Sequence, residues 1–330
     1  VDRIELPEPN PWKRPVRPSD IAFFQDGSAV MITFDGDVYR IEGLAGGTTA
    51  TVSWRRIASG VHESQAIAVR GDEIFVFSRG GLTRLRDLDG DGETDFYEMF
   101  ANEFTQSAET RDYAHGIANA PDGGFFLSKG GQQSRLRTPH SGRILHVSPE
   151  GDEVEVVAAG LRNPYVEYDA DADRIMASDQ QGKWVPSTPF HVIREDGYYG
   201  FQPARPGADE TEPPVDPPAV WMPHHLAGSG LGLVTVPDQR LGLDSDSVLY
   251  LDYRGPRVLQ VLPLDDRDPP EAAAIPLPAK TRVPLLKGEV NPADGFACLV
   301  GFKIWGTGAG PVSGFARLRP GGAPSSQPVE

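Results

Sequence analysis

The chain has 330 residues, and its 31 lysines and arginines against 47 aspartates and glutamates give a formal net charge of −16. This acidic balance argues against nucleic-acid binding, which needs a basic face, and against docking on an anionic membrane leaflet. The composition, 39% hydrophobic and 24% charged, is that of a globular protein, and the single cysteine, Cys298, excludes a disulfide scaffold or a cysteine-based metal site.

Short apolar runs separated by tight turns recur along the whole chain. The sequence holds 37 glycines and 31 prolines without a glycine period, which indicates many turns between short strands. Long amphipathic runs with a helical period are missing from the sequence. In chain order, six units each contain apolar runs around such turns, at residues 19–41, 66–85, 115–147, 164–192, 230–262 and 287–318.

The spacing of these units predicts the fold. They recur at roughly 45 to 55 residues, a period typical of β-propeller blades. We therefore predict an all-β protein with a single six-bladed β-propeller domain over 1–320, in which the first strands complete the last blade. A β-sandwich or a series of meanders is the alternative. Residues 321–330, rich in glycine, proline and serine, are predicted to form a flexible tail or linker.

The most specific local motif follows the second unit. Between residues 87 and 98, oxygen donors fall at positions 1, 3, 5, 9 and 12, with glycine at position 6, as in a twelve-residue calcium loop. The alternative is a solvated acidic turn, although clustered carboxylates without a cation would repel one another. We expect a structural calcium site, and the predicted ligands are Asp87, Asp89, Asp91, Glu93 (through its carbonyl), Asp95 and Glu98.

Targeting signals are weak in this sequence. No stretch approaches the about 18 uninterrupted apolar residues of a membrane helix, so we expect no membrane insertion. The start, Val1-Asp-Arg-Ile, is not a signal peptide and lacks an initiator methionine, which we interpret as a processed or trimmed N-terminus. The acidic composition, the near absence of cysteine and the calcium loop favour an exported bacterial protein, either periplasmic or secreted.

Polar residues lie where the predicted strands begin or end. In a propeller these ends converge on one funnel, where ligand sites are usually built. His115 could act there as a general base, with Asp112 or Glu63 orienting it. It could equally be a hydrogen-bonded histidine of the rim without a catalytic role.

Further residues of the same funnel could bind a ligand. Arg162 could clamp an anionic group and Asn163 could bind a hydroxyl, or the pair could cap the turn that follows them. The polar loop with Gln180 and Lys183 has the composition of a sugar site, or is an ordinary connection. The remaining candidates beside strand ends are His224 and Lys303.

Longer runs of the sequence resemble a known family. Residues 115–130, 142–151, 160–164 (Gly-Leu-Arg-Asn-Pro) and 198–201 occur in the order seen in the glucose/sorbosone dehydrogenase family. Those proteins are exported six-bladed propellers that use pyrroloquinoline quinone (PQQ) and calcium to oxidise sugars. Residues 85–98, 178–189 and 301–306 resemble more closely the branch called membrane-bound dehydrogenase domain proteins of Planctomycetes and Verrucomicrobia.

The resemblance implies roles for matching residues, and it also shows departures. It implies that His115 takes the proton of a sugar hydroxyl and that Arg162 and Asn163 hold the quinone oxygens. The family has a lysine where this chain has Tyr253-Arg254, and arginines where this chain has only Lys287. A replacement basic cradle for PQQ would consist of Arg162, Lys183, Arg254, Lys287 and Lys303.

Three hypotheses remain open from the sequence. The first is a PQQ-dependent sugar or polyol dehydrogenase, with a cytochrome c as a candidate electron acceptor. The second is a cofactor-free lyase or hydrolase acting on carbohydrate. The third is a non-catalytic carbohydrate-binding module of a larger exported protein. A basic, flat funnel floor favours the first hypothesis, and a funnel plugged by side chains favours the third.

Overall fold

The computed structural model describes residues 1–46, 49, 51–104, 111–131, 138–204, 213–244, 246–264 and 267–321. Within these ranges the regular structure is β-sheet apart from two short 3-10 helices, Gln202–Ala204 and Gln239–Leu241. No helix of this described part has the length and apolarity needed to cross a membrane. Of the predicted tail 321–330, only Gly321 lies within the described residues.

Six sheets follow one another along the chain, and we number them as blades 1 to 6. The first strand of the chain, β1 (Asp2–Ile4), belongs to blade 6. Blade 1 contains β2 (Pro18–Phe23), β3 (Ala29–Thr33), β4 (Val38–Glu42) and β5 (Ser53–Ala58). Blade 2 contains β6 (Ala66–Arg70), β7 (Glu73–Ser78), β8 (Gly81–Arg86) and β9 (Phe96–Ala101). Blade 3 contains β10 (Ala114–Asn119), β11 (Phe125–Lys129), β12 (Arg143–Val147) and β13 (Val154–Ala159).

The remaining blades follow the same plan. Blade 4 contains β14 (Tyr165–Asp169), β15 (Arg174–Ser178), β16 (Thr188–Val192) and β18 (Val220–Met222). The short strand β17 (Gly197–Tyr198) extends blade 3 by pairing parallel to β13. Blade 5 contains β19 (Gly230–Thr235), β20 (Val248–Asp252), β21 (Arg257–Leu264) and β22 (Glu271–Pro276). Blade 6 contains β23 (Lys287–Val290), β24 (Ala297–Phe302), β25 (Ser313–Leu318) and β1.

The first strands of the six blades form a closed ring around a central channel. Each of β2, β6, β10, β14, β19 and β23 contacts its counterparts in both neighbouring blades, and β23 returns to β2. The ring confirms the predicted six-bladed β-propeller. Strand β1 pairs with β25, with Asp2 opposite Arg317, which confirms that the N-terminal strand completes the last blade.

Burial changes systematically from the axis to the outside of each blade. The second strand of blade 1, β3, is buried at every position, whereas its fourth strand, β5, is exposed or half-buried at every position except Ala58. Apolar layers between neighbouring blades form the core; Phe75 of blade 2, for example, lies 4.7 Å from Phe125 of blade 3 between ring centroids. Gly36 (φ 89°) turns between β3 and β4, where a Cβ would lie 2.0 Å from the carbonyl oxygen of Val61.

The propeller brings the beginnings of the inner strands to one end of the channel. Every blade is a meander that starts at the axis, so the N-terminal ends of the six inner strands and the ends of the second strands lie on the same face. We call this face the rim. It collects His115, Tyr165 and Lys287 from inner strands, together with the residues that follow β7, β11, β15, β20 and β24.

Candidate functional site

His115 is a fully buried imidazole on the rim. It is the second residue of β10, is 0% exposed, and its ring stacks on that of Tyr165 with centroids 4.9 Å apart. Within the described part of the chain, neither ring nitrogen has a hydrogen-bond partner. Burial, assisted by the positive charges of Lys287, Lys129 and Arg79, lowers the pKa of His115 to about 3. The ring is therefore neutral at physiological pH, and one ring nitrogen carries no proton.

Three cations surround His115, and each of them has a carboxylate partner. Lys129 Nζ lies 2.9 Å from Asp112 in a buried pair, Arg79 Nε donates to Glu63 at 2.6 Å, and Lys287 Nζ donates to Asp20 at 3.1 Å.

These pairs correct the predicted roles of Asp112 and Glu63. Both carboxylates lie on the rim as expected, but neither is hydrogen bonded to His115. Lys129 and Arg79, which end or follow the second strands of blades 3 and 2, reach them first.

The Arg162–Asn163 turn is organised by one buried carboxylate. Asp179 accepts hydrogen bonds from the backbone nitrogens of Arg162 (2.7 Å), Asn163 (2.6 Å) and Gln180 (2.7 Å). Burial raises the pKa of Asp179 to about 6, although the three donors and the Arg162 charge oppose that shift. The Arg162 guanidinium donates to the carbonyl oxygen of Gln181 at 2.8 Å. Arg162, Asn163 and Gln180 are thus brought together as one unit.

Two glycines connect this turn to His115. The backbone nitrogen of Gly131 donates to the Arg162 carbonyl oxygen at 3.0 Å. A Cβ at the preceding residue, Gly130, would lie 2.6 Å from His115 Cε1. A side chain at residue 130 would therefore displace the histidine, so the close approach requires glycine.

Aromatic and aliphatic side chains pack across the channel at the rim. Tyr253 is central, because its hydroxyl bonds to the Phe302 carbonyl oxygen (3.2 Å) and accepts from the backbone nitrogens of Ile304 (3.0 Å) and Trp305 (3.2 Å). Trp305 in turn lies 6.5 Å from Tyr113 between ring centroids. We call this group the aromatic cluster; it comprises Phe34, Tyr165, Leu231, Tyr253, Leu286, Phe302, Ile304 and Trp305.

The other predicted cofactor ligands have separate surroundings. His224 Nε2 lies 3.2 Å from the Pro186 carbonyl oxygen, and Lys303 Nζ donates to the Gly310 carbonyl oxygen at 3.0 Å. Lys183 and Arg254 have exposed side chains. The structure thus gathers Arg162, Asn163 and Gln180 near His115, and it distributes the remaining four over the loops around the rim.

The acidic loop after β8 folds around a single point. Carboxylate oxygens of Asp87, Asp89 and Asp95 lie within 4.8 Å of one another. Asp87 accepts the backbone nitrogens of Gly90 and Gly92, each at 2.7 Å, which fixes its orientation and lowers its pKa. The three exposed carboxylates offer the hard oxygen donors that Ca²⁺ prefers.

Asp91 and Glu98 lie outside this carboxylate cluster, whereas the predicted contact of Glu93 is through its backbone carbonyl and stays a prediction. Glu98 belongs to β9 opposite Arg84, and its carboxylate lies 2.6 Å from Arg84 and 3.4 Å from Arg86. The chain enters β9 at Phe96, so the strand turns Glu98 toward its neighbour β8 and not toward the loop. The Asp91 carboxylate accepts the Glu93 nitrogen (2.7 Å), and the Glu93 carboxylate lies 3.6 Å from Arg55.

The central channel contains three carboxylates that sequence reasoning missed, together with Lys287, which the sequence had named for the basic cradle. A cavity of about 260 Å³ below the rim is lined in part by Asp20, Glu167, Lys287 and Glu289. Burial raises the pKa of Glu167 to about 8 and that of Glu289 well above its ordinary value. Thr235 donates to Glu167 at 3.2 Å.

Rim residues that were missed share a positional signal. Gln65 directly precedes β6, and its oxygen lies 3.5 Å from the Tyr165 hydroxyl. Arg79 and Lys129 stand at the ends of β7 and β11. All three lie where a first or second strand meets the rim. A search of the predicted strand ends for every polar residue, and not only for histidines, would therefore have identified them.

Comparison with known proteins gives structural relatives only. No protein-family model and no curated protein sequence matches the chain. A glucose dehydrogenase-type oxidoreductase of Thermus thermophilus is 18% identical, with 92% of this chain and 96% of that chain covered and a TM-score of 0.68. The PQQ-bound aldose sugar dehydrogenase of Streptomyces coelicolor is 16% identical (93% and 95% covered, TM-score 0.67). The calcium-binding protein regucalcin of Agrobacterium tumefaciens is 14% identical (92% and 90% covered, TM-score 0.55).

These relatives span nearly the whole chain. At such low identities the likeness establishes a shared propeller fold and leaves the chemistry to be argued from the site itself.

Proposed function

We propose that this protein is a PQQ-dependent dehydrogenase-like oxidoreductase that acts on a hydroxyl group of a sugar or polyol. The observation that carries the proposal is His115: a buried, neutral imidazole without a hydrogen-bond partner among the described residues, encircled by three cations on the rim. Such a group has the protonation state that a general base requires. The resemblance to glucose/sorbosone dehydrogenases, and within them to the membrane-bound dehydrogenase domain branch, supports the same role.

The donor set beside His115 suits a PQQ-type ligand in chemical character. PQQ is a planar tricarboxylate with quinone oxygens, and the rim supplies ammonium, guanidinium and amide donors. The buried Gln65 Nε2 and both His115 nitrogens lack partners in the described part of the chain, which favours an oxygen-rich ligand over an empty rim. Lys129, Lys287 and Arg162 would hold its carboxylates, and Gln65 and Asn163 would donate to its quinone oxygens.

The chain's own residues would prepare the substrate for oxidation. When bound, PQQ accepts the hydride from the carbon that bears the hydroxyl. His115 would take the hydroxyl proton on one of its ring nitrogens, and its low pKa keeps that nitrogen free down to about pH 3. Tyr165, stacked on the imidazole, would hold its plane. Asp179 would keep the Arg162–Asn163 turn in place.

We further propose that Ca²⁺ binds the loop through Asp87, Asp89 and Asp95. The three carboxylates are exposed, and open sites of this kind suit the high calcium concentrations outside cells. That argument supports a periplasmic or secreted location, where a cytochrome c could receive the electrons.

A non-catalytic carbohydrate-binding propeller is the second candidate. The aromatic cluster fills the rim across the channel, and His115 is 0% exposed. A substrate could reach the imidazole only if neighbouring side chains such as Tyr113, whose ring centroid lies 5.9 Å from that of His115, moved aside. If they do not move, exposed Trp184 and the loop that contains Lys183 would bind sugar without chemistry.

Titration of the calcium-loaded protein with PQQ tests the proposal. We expect saturable one-to-one binding by calorimetry and reduction of a dye when aldoses or polyols are added. His115→Gln should lower turnover by at least about a hundredfold, the usual contribution of a positioned base, while the melting temperature and PQQ binding change little.

Controls separate the two candidates. His225→Gln, at an exposed position, should retain full turnover. Absence of PQQ binding at high micromolar concentration, together with saturable binding of oligosaccharides, would favour the binding module. PQQ binding with unchanged turnover in His115→Gln would remove His115 from the mechanism.

A further inference from the structure

An apolar groove lies between blades 5 and 6, away from the rim site. It has a volume of about 870 Å³. Its floor includes Leu249 and Ala316, at 0% and 1% exposure, and the partly buried Leu241, Leu243 and Leu277 line its walls. We call it the blade 5–6 groove. Its walls are continuous with the core, yet they remain open to solvent.

The charges at the edge of this groove are opposite to those of the whole protein. Four cationic side chains and one carboxylate line it: Arg3, Lys280, Arg282, Arg319 and Asp2. Asp2 is already paired with Arg317 (2.9 Å) and Arg319 (3.1 Å). Lys280 and Arg282 have exposed side chains and no ion-pair partner among the described residues. On a chain with net charge −16, a basic edge around an apolar floor is a local exception.

The backbone at Arg282 fixes the position of this edge. Arg282 has φ 57°, a left-handed conformation that is uncommon for residues with a side chain. Its carbonyl oxygen accepts a hydrogen bond from the Gly310 nitrogen at 3.2 Å. The segment that carries Lys280 and Arg282 is therefore held against blade 6 beside the groove.

We propose that the blade 5–6 groove binds a single-chain amphiphile with an anionic head, such as a fatty carboxylate free in solution. A cavity of this volume lies within the range of about 300–1,000 Å³ that is usual for small-molecule sites. The alkyl chain lies on the leucine floor, and the carboxylate meets Lys280 and Arg282.

Calorimetry with octanoate, decanoate and dodecanoate, each below its critical micelle concentration, tests the proposal. We expect one-to-one binding that tightens about fourfold per added methylene, since each buried CH₂ contributes about 0.8 kcal/mol. The Lys280→Gln/Arg282→Gln double variant should weaken dodecanoate binding about tenfold. Leu277→Asp, which places a carboxylate in the groove, should abolish it.

The matched controls define how the proposal fails. Lys13→Gln removes an exposed cation that does not line the groove and should leave dodecanoate binding unchanged. Dodecyltrimethylammonium, with the same chain and opposite charge, should bind at least tenfold more weakly than dodecanoate. Four results would each overturn the proposal. They are equal binding of both amphiphiles, dodecanoate binding that the double variant does not weaken, the absence of saturable binding, and association with anionic vesicles but not with the free carboxylates.

Discussion

Burial, more than hydrogen bonding, determines the chemical character of the rim residues. His115 carries no hydrogen bond from a described residue, and its low pKa comes first from desolvation. The sequence identified His115, Arg162 and Asn163 as rim residues from their positions beside strands. It could not show that the carboxylates expected to orient His115 have other partners. Asp112 is paired with Lys129 and Glu63 with Arg79, and both cations come from the ends of other strands. Pairing of this kind depends on which strand ends meet in space.

Glu167 in the channel gives a residue-scale prediction about pH. Its pKa is raised from an ordinary 4.5 to about 8. Between these two values the folded protein retains a proton that the unfolded chain releases, so stability falls as the pH rises through this window. Glu167→Gln should therefore raise the unfolding free energy at pH 8 by about 1–2 kcal/mol, allowing for water in the channel, and have little effect at pH 4.5.

Thermal unfolding of both proteins between pH 4.5 and 8.5 measures this difference. The amide oxygen of glutamine can still accept the Thr235 hydroxyl, so the substitution keeps that hydrogen bond. Glu155→Gln, at an exposed position of β13, is the matched control and should show no such pH-dependent gain. A Glu167→Gln variant that is equally or less stable at pH 8 would contradict the prediction.

At the scale of elements, the sequence predicted the inner strands of the blades well and the outer strands poorly. Buried strands such as β3 (AVMIT) and β24 (ACLVGF) consist almost entirely of apolar residues. The fourth strand of blade 1, β5 (SWRRIA), has an exposed or half-buried side chain at five of its six positions. Because an edge strand has solvent on one side, its polar residues hide the pattern that predicts strands. The calcium loop was predicted from spacing alone, which cannot show where β9 begins.

The observed start of β9 leads to a prediction about the acidic loop. Adding Ca²⁺ to chelator-treated protein should raise the melting temperature, because an ion at a hundred times its dissociation constant stabilises the folded state by about 2.7 kcal/mol. Asp89→Asn and Asp95→Asn should each remove most of this shift. Glu98→Gln should keep it, since that carboxylate is engaged by Arg84 and Arg86.

Differential scanning calorimetry with and without calcium provides the measurement. Glu98→Gln is the matched control, since it also removes one carboxylate from the same twelve-residue segment. It should lower the melting temperature slightly at every calcium concentration, because it breaks partly exposed ion pairs. Loss of the calcium shift in Glu98→Gln, with retention in Asp89→Asn, would restore the twelve-residue ligand pattern.

At the scale of the whole molecule, ring closure determines whether the six blades act as one unit. Blades 1, 2 and 5 are each built from four consecutive strands, blades 3 and 4 depart from this plan only through β17, and only blade 6 joins the two ends of the chain through β1 and β25. The channel, the rim and the blade 5–6 groove all depend on that closure. Unfolding of blade 6 would expose the apolar layers that it shares with blades 1 and 5.

One buried ion pair lies at this closure and gives the last prediction. Arg317 is 0% exposed and lies 2.9 Å from Asp2, and it also donates to the Leu44 carbonyl oxygen at 2.5 Å. Removal of one partner from a buried pair leaves an uncompensated charge, which typically costs about 3–5 kcal/mol.

Because the Leu44 contact and the slight exposure of Asp2 reduce that penalty, we expect Asp2→Ala to lower the unfolding free energy by about 2–4 kcal/mol. Glu5→Ala, which breaks a solvent-exposed pair with Arg3, should cost at most about 0.5 kcal/mol. In chemical denaturation, Asp2→Ala/Arg317→Leu should recover part of the loss, since the buried charge is gone. If Asp2→Ala matched Glu5→Ala in stability, the pair would contribute little to closure, and backbone pairing of β1 with β25 would hold the ring by itself.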